Sequence, residues 1–224
     1  MDMLFLQTTV GGDPVITQEK ISLLSLLLKG GYFMIPIGAL LAVAIYITIE
    51  RFLTITKAGR VDKDFMRNIK DYVVNGKIAA ARDLCQKNDT PAARMIDKGI
   101  SRIGKPLDNI QVSIENVGKL EVFRLEKGLA TLATISGAGP MIGFLGTVTG
   151  MINAFFEMAN AGQNIDVSLL AGGIYEALIT TVGGLIVGIV AFIAYNQLVS
   201  MVDKVVNKME ATSIEFIDLL QEPV

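Results

Sequence analysis

Gly172-Gly173-Ile174-Tyr175-Glu176-Ala177-Leu178-Ile179-Thr180-Thr181-Val182-Gly183-Gly184 is the stretch on which the fold of this chain turns. It lies inside a run of 36 residues, Val167 to Val202, whose only charge is Glu176. A helix rises ~1.5 Å per residue and a bilayer's hydrocarbon core is ~30 Å thick, so about 20 apolar residues suffice to cross it. The run is longer than that, which predicts a helix that crosses a membrane and continues into water. Gly31 to Ile49 is uncharged for 19 residues and Gly128 to Phe156 for 29. The chain therefore reads as an all-α integral membrane protein with three transmembrane helices. Helices two and three are expected to be long and to extend into the cytoplasm, with a helical cytoplasmic loop between the first and second.

Composition agrees. Of 224 residues, 51% are hydrophobic and 19% charged, and the mean hydropathy is +0.51. Twenty basic against 22 acidic residues leave a net charge of −2, which gives no electrostatic footprint for nucleic acid. There is no histidine and one cysteine, so a Ser-His-Asp triad, a Cys-His pair, a histidine metal site and an intrachain disulfide are all closed off. No phosphate-cradling G-x-x-x-x-G-K-[ST] motif is present either. The reading is not an enzyme, with no cofactor and no metal.

Sixteen of the 20 Lys and Arg fall between Arg51 and Lys127, and none between Ala159 and Leu170. Positive charge stays on the cytoplasmic side, which sets the orientation. The expected organisation is a periplasmic N-terminal segment over 1–30, a first span over 31–50 and a cytoplasmic helical loop over 51–127. A second span over 128–157, a periplasmic link over 158–167, a third span over 168–200 and a cytoplasmic C-terminal helix over 201–224 complete it. Asp2 stands where a signal peptide would carry a cation, and Met3 to Leu6 is short for its apolar region, so the N-terminus is expected to be retained. Ile21 to Leu28, between Lys20 and Lys29, reads as a short interfacial helix.

In the loop, Phe65, Ile69, Tyr72 and Val73 share one helical face, and Met95, Ile96, Gly99, Ile100 and Ile103 another. Thr90 before Pro91 is an N-cap followed by proline at the first helical position, and Gly104-Lys105-Pro106 separates that helix from the next. From Pro106 no breaker occurs until Gly128. Most charged residues here are expected to be a solvated face. Cys85 would be an ordinary free thiol in a reducing compartment.

Span two carries small and hydroxylated residues at three- and four-residue steps: Ser136, Pro140, Gly143, Thr147, Gly150 and Ala154. Gly139 with Gly143, and Gly146 with Gly150, form G-x-x-x-G pairs that let helices approach closely, and simple packing accounts for them. A bulky residue at Gly146 is expected to block association between subunits. Span three has a matching stripe of Ala177, Thr181, Gly184, Gly188 and Ala191. Glu176 is about 14 Å along its helix at ~1.5 Å per residue. A carboxylate at that depth is costly unless it meets a partner or a cavity, which makes it a functional candidate, the alternative being a helix that starts further in. Thr180 follows one turn on. Thr147, Thr180 and Thr181 either bond their own backbone or, with Glu176, supply stepwise solvation for a proton or cation. Pro140 would loosen span two beside them, or be a static kink.

Gly139 to Gly150 (GPMIGFLGTVTG) together with Gly173 to Thr181 (GIYEALITT) resembles the MotA/TolQ/ExbB proton-channel family, its ExbB members above all. The resemblance extends over nearly the whole chain after the first ~30 residues, because the three-span layout matches as well. It implies an inner-membrane motor subunit, a homo-oligomer of five copies around two helices of an ExbD-like single-span partner. Driven by the proton motive force, such a motor works through a TonB-like protein on outer-membrane transport. In the same family picture the titrating group is an aspartate on the partner, the positions of Thr147 and Thr181 line the pore, and Glu176 sits near the path. Membrane lipid is the other expected partner. Thr180 beside Thr181, and glycines at Gly183, Gly184 and Gly188 where the best-known members have a proline-containing continuation, leave the subfamily open. A TolQ-like subunit of an envelope-maintenance motor has the same layout. A non-conducting scaffold would explain the small-residue stripes but has no use for Glu176, and three spans are few for a secondary transporter.

Overall fold

The computed structural model describes residues 8–9, 14–15, 30–60, 64–160 and 167–221, with side chains in 30–60, 64–160 and 170–221. The helix expected at Ile21 to Leu28 and most of the link between spans two and three lie outside the described residues. Thr8–Thr9 (β1) pairs antiparallel with Pro14–Val15 (β2). Everything longer is helical: α1 Met34–Ala58, α2 Phe65–Val74, α3 Ile78–Asn88, α4 Pro91–Ile100, α5 Leu107–Glu126, α6 Leu129–Asn160 and α7 Val167–Gln221.

Among the described residues three helical stretches are long and apolar enough to cross a membrane: Met34–Ala58, Leu107–Asn160 and Leu170–Gln221. The protein is an all-α integral membrane protein. α1 runs seven residues past the Glu50-Arg51 pair that ends its apolar run, because charges end an apolar stretch without ending a helix. Ile55, beyond the pair, is 1% exposed and gives the extension a buried face. α4 begins as its sequence dictates, with Thr90 Oγ1 accepting from the N–H of Ala93 at 3.3 Å and Pro91 at the first position. Gly128 separates α5 from α6 at φ +84°, a left-handed conformation that a side chain would strain. Pro140 leaves the carbonyl of Ser136 without its helical donor, yet α6 runs through it as one helix.

Two compact units divide the chain. One comprises Ala39–Gly139 and Ile186–Val224. In it α2, α3, α4 and α5 pack in sequence order, each on the next. Phe65, Ile69, Ala81, Cys85, Ala93, Ile96, Ile100 and Ile114 are 0–2% exposed, and Phe216 of α7 is wholly buried with them. Burying a side chain of the Phe or Ile class contributes about 1.5–3 kcal/mol, so this core dominates the unit's stability. Leu198, Val202, Val205 and Met209 continue the buried face of α7 at three- and four-residue steps.

Among the described residues of this unit one charge is buried. Glu121, 3% exposed, takes Arg94 Nη2 at 2.6 Å on one carboxylate oxygen and Arg124 Nη1 at 2.7 Å on the other. Arg94 also reaches Asp89, the left-handed residue that ends α3, at 2.6 Å. The Glu121 hydrogen bond is the largest influence raising the Arg94 guanidinium above its ordinary pKa, against the opposing effect of burial. Arg51 of α1 donates to the carbonyl of Arg124 at 3.1 Å. Glu121 thus ties α4 to α5, and Arg124 ties α5 to α1.

The other unit comprises Met1–Gly38 and Pro140–Leu185. It holds the start of α1, most of α6 and the first third of α7, and with them the residues singled out by the sequence.

Candidate functional site

Three hydroxyls meet between α6 and α7. Thr147 and Thr181 are hydrogen-bonded to one another through their Oγ1 atoms. Thr147 Oγ1 also lies 3.1 Å from the carbonyl of Ala177 and 3.3 Å from that of Gly143. Thr181 Oγ1 is 3.1 Å from the Gly143 carbonyl, and Thr180 Oγ1 is 2.7 Å from Ala177 O and 3.3 Å from Gly143 O. Two carbonyls therefore serve three hydroxyls, each with one proton to give. Such a cluster can redistribute its protons by rotating hydroxyls, with no bond to a side chain broken. Thr180 is 2% exposed; Thr147 and Thr181 are half-buried.

The close approach comes from glycine. A Cβ on Gly143 would lie 2.8 Å from Thr180 O and 3.1 Å from both Thr181 Cα and Gly184 Cα, all backbone atoms that cannot move aside. At Gly146 it would come 2.5 Å from Thr180 Oγ1, and at Gly150 2.9 Å from Ala177 Cβ. Gly173 completes the seam, where an added Cβ would come 2.6 Å from Ala154 Cβ. These glycines pack α6 on α7 of the same chain. Gly146, whose spacing suggested contact between subunits, meets Thr180, 34 residues along the same polypeptide. Gly184 and Gly188 are both buried, Gly184 against Gly143 and Gly188 within the other unit.

Glu176 does not join the hydroxyls. Its side chain is exposed on this chain, and its carboxylate lies against Gly31, where an added Cβ would overlap Oε1. Thr180, four residues on, turns inward to Gly146. Four residues advance 400°, so i and i+4 are offset by about 40°, enough to put one at the seam and the other at its flank. Within α7 from Leu170 to Val202 Glu176 is the sole ionisable acid. Sequence spacing grouped all four residues, and only the packing separates the acid from the alcohols.

Two pairings could not be read from the sequence. Glu121 falls at helical spacing with Ile110, Ile114, Val117 and Leu125, which marks its face as buried, but its partner Arg94 is 27 residues away. Gly31 bore no sign in the sequence of the acid it meets, 145 positions further on. Cys85 is free and 1% exposed, and burial, with the charge of Asp97 adding to it, pushes its thiol up to about 12.

Fold and site define a multi-pass helical membrane protein with a polar seam inside an otherwise apolar helix pair. The chain belongs to the MotA/TolQ/ExbB proton channel family, whose model matches residues 87–211, more than half of it and all of the threonine cluster. Its members are channel and motor subunits. A protein of Synechocystis named as an ExbB-like biopolymer transport protein is 27% identical over 190 residues, which span 84% of this chain and 75% of that one. The biopolymer transport protein ExbB of Neisseria gonorrhoeae is 41% identical over 87 residues, 39% of either chain. The Tol-Pal system protein TolQ of Pseudomonas aeruginosa is 36% identical over 104 residues, 46% of this chain and 45% of its own.

Proposed function

We propose that this chain is the multi-span subunit of a proton-driven motor in the bacterial inner membrane, with its N-terminus periplasmic and its C-terminus and large loop cytoplasmic. Joined to an ExbD-like single-span partner, it uses the proton motive force to energise TonB-dependent transport across the outer membrane. The observation that carries this reading is the cluster of Thr147, Thr180 and Thr181, three hydroxyls and two carbonyls inside an apolar helix pair. Hydroxyls neither bind nor release a proton near neutrality, but they solvate one in passing. The group that titrates then comes from the partner, with Glu176 open at the flank of the seam to assist. A TolQ-like role in an envelope-maintenance motor is the second reading, favoured by the likeness to the Pseudomonas TolQ protein.

Native mass spectrometry of the protein, purified from membranes after coexpression with a single-span partner of either type, tests this. The reading predicts five copies holding two copies of one partner, and the partner retained distinguishes the ExbB-like from the TolQ-like role. A monomer or dimer that retains neither partner contradicts both.

A further inference from the structure

Gly31 and Glu176 are 145 positions apart in the sequence and touch. Two independent features mark Gly31. Its φ is +62°, a left-handed backbone that side chains rarely adopt, and a Cβ built on it would overlap Glu176 Oε1 and lie 2.8 Å from Cδ and 3.5 Å from Cγ. The whole end of the glutamate arm therefore rests across the bare Cα of Gly31. The neighbouring contacts hold the two elements together. A Cβ on Gly30 would lie 3.0 Å from Ile179 Cγ2, and one on Gly183 3.1 Å from Met34 Cε. The beginning of α1 thus follows α7 for two turns, from Glu176 to Gly183. Close contact is not general to glycines of this unit, for a Cβ on Gly38 or Gly172 would meet nothing within 4 Å.

We infer that Gly31 is a positioning residue for Glu176. It leaves a side-chain-sized space that the carboxylate fills, and so holds the acid at the α1 flank of α7 instead of on the hydroxyl seam. A glutamate has three rotatable side-chain bonds; without a fixed resting place its carboxylate would sample several positions along the helix surface. The backbone of Gly31 selects one. The inference rests on the reading that Glu176 assists proton passage, and it adds the device that sets where that carboxylate waits.

The test uses the full complex with its single-span partner in membrane vesicles and two readouts. One is the rate at which a hydrophobic carbodiimide modifies the carboxyl at position 176, followed by peptide mass spectrometry. The other is proton uptake. Gly31→Ala is expected to change the modification rate about tenfold, because the displaced carboxyl meets the reagent in a different place, while Gly38→Ala leaves it at the wild-type value. Glu176→Asp shortens the arm by one methylene, so Gly31→Ala/Glu176→Asp should match Glu176→Asp alone in both readouts. Backbone strain is the same with and without the shorter arm, and the recovery therefore isolates the overlap. Gly31→Asn, which tolerates a left-handed backbone, serves if the alanine variant does not accumulate, with the same expectation. A wild-type modification rate in Gly31→Ala or Gly31→Asn, or a double variant in which the two single effects simply add, overturns the inference. A changed modification rate with unchanged proton uptake leaves Gly31 as the positioning residue and overturns the role of Glu176 in proton passage.

Discussion

The two units of this protein are held together in opposite ways. The bundle unit is filled by large side chains, Phe65, Ile69, Ile96, Ile114 and Phe216, with an ion-paired Glu121 among them. The unit that carries the threonines is held by what is missing: Gly143, Gly146, Gly150 and Gly173 bring backbones together, and hydroxyls bond main-chain carbonyls across the gap. A single helix contains both styles. α7 packs through Gly173, Ala177, Thr181 and Gly184 in its first third and through Leu198, Val202, Val205, Met209 and Phe216 further on. The difference matches two driving forces for packing. In lipid an apolar side chain gains little by leaving its surroundings, so helices associate through close approach and hydrogen bonds, whereas in water burying apolar area drives the packing.

That contrast can be broken most sharply at Gly143. A leucine there has to enter space held by three backbone atoms, and overpacking beyond ~3 kcal/mol is expected. Gly143→Leu should therefore fail to accumulate as folded protein in mild detergent, as followed by size-exclusion chromatography. Gly137→Leu, on the same helix with nothing within 4 Å, should elute as wild type. If both elute alike, the seam is not held by close approach.

In the bundle unit the equivalent weak point is electrostatic. Glu121→Ala leaves Arg94 Nη2 without its acceptor, with Asp89 still on Nη1, and removing one member of a fully buried pair costs ~3–5 kcal/mol. Arg94 and Arg124 are 37% and 68% exposed, which lets water take over part of that role. A loss of about 2 kcal/mol in chemical denaturation is expected, and Glu121→Gln should lose less because its carbonyl still accepts one guanidinium. An unchanged midpoint in the alanine variant would mean that the ion pairs contribute nothing net.

Smaller again is Gly99→Ala. Its methyl would come 2.6 Å from Phe216 Cε1 and 2.8 Å from Ile114 Cδ1, ends of side chains that can shift. The expected cost is about 1 kcal/mol by the same denaturation measurement, well short of the effect at Gly143 although the bare distances are similar. The smallest effect concerns Cys85. With its thiol pushed up to about 12 it stays protonated at pH 7 to 8, so a maleimide should leave it unmodified in the folded protein and react only on unfolding. Reaction at the native rate of an exposed thiol would show that α3 is not packed as described.

Much of this architecture was legible in the sequence because it rests on long-range composition and short-range punctuation. Uncharged runs mark the helices able to cross a membrane, and Thr90-Pro91, Gly104-Lys105-Pro106 and Gly128 mark where helices begin and end. The residues of the threonine cluster were legible too, since hydroxyls among apolar residues stand out. What the chain could not disclose is which side chain meets which. Glu176 and Thr180 fall on nearly one face of a helical projection, yet about 40° of offset sends one to Gly31 and the other to Gly146. Gly146 carried the G-x-x-x-G signature of helix association, but that pattern is the same whether the partner helix belongs to the same chain or to another. Glu121 is in register with Ile110, Ile114, Val117 and Leu125, yet nothing local names Arg94 as its partner, which only the fold brings to it.

Proton uptake by vesicles containing the complex with Thr181→Val is the most direct test of the difference between the seam's hydroxyls and its glycines. Valine keeps the shape of threonine and removes only the hydroxyl that bonds Thr147 and the Gly143 carbonyl. If the hydroxyls carry protons, the complex should assemble as wild type and its uptake should fall by about tenfold, the factor that ~1.4 kcal/mol on a barrier produces. Wild-type uptake from an intact Thr181→Val complex would contradict this and leave the hydroxyls, like the glycines, as packing.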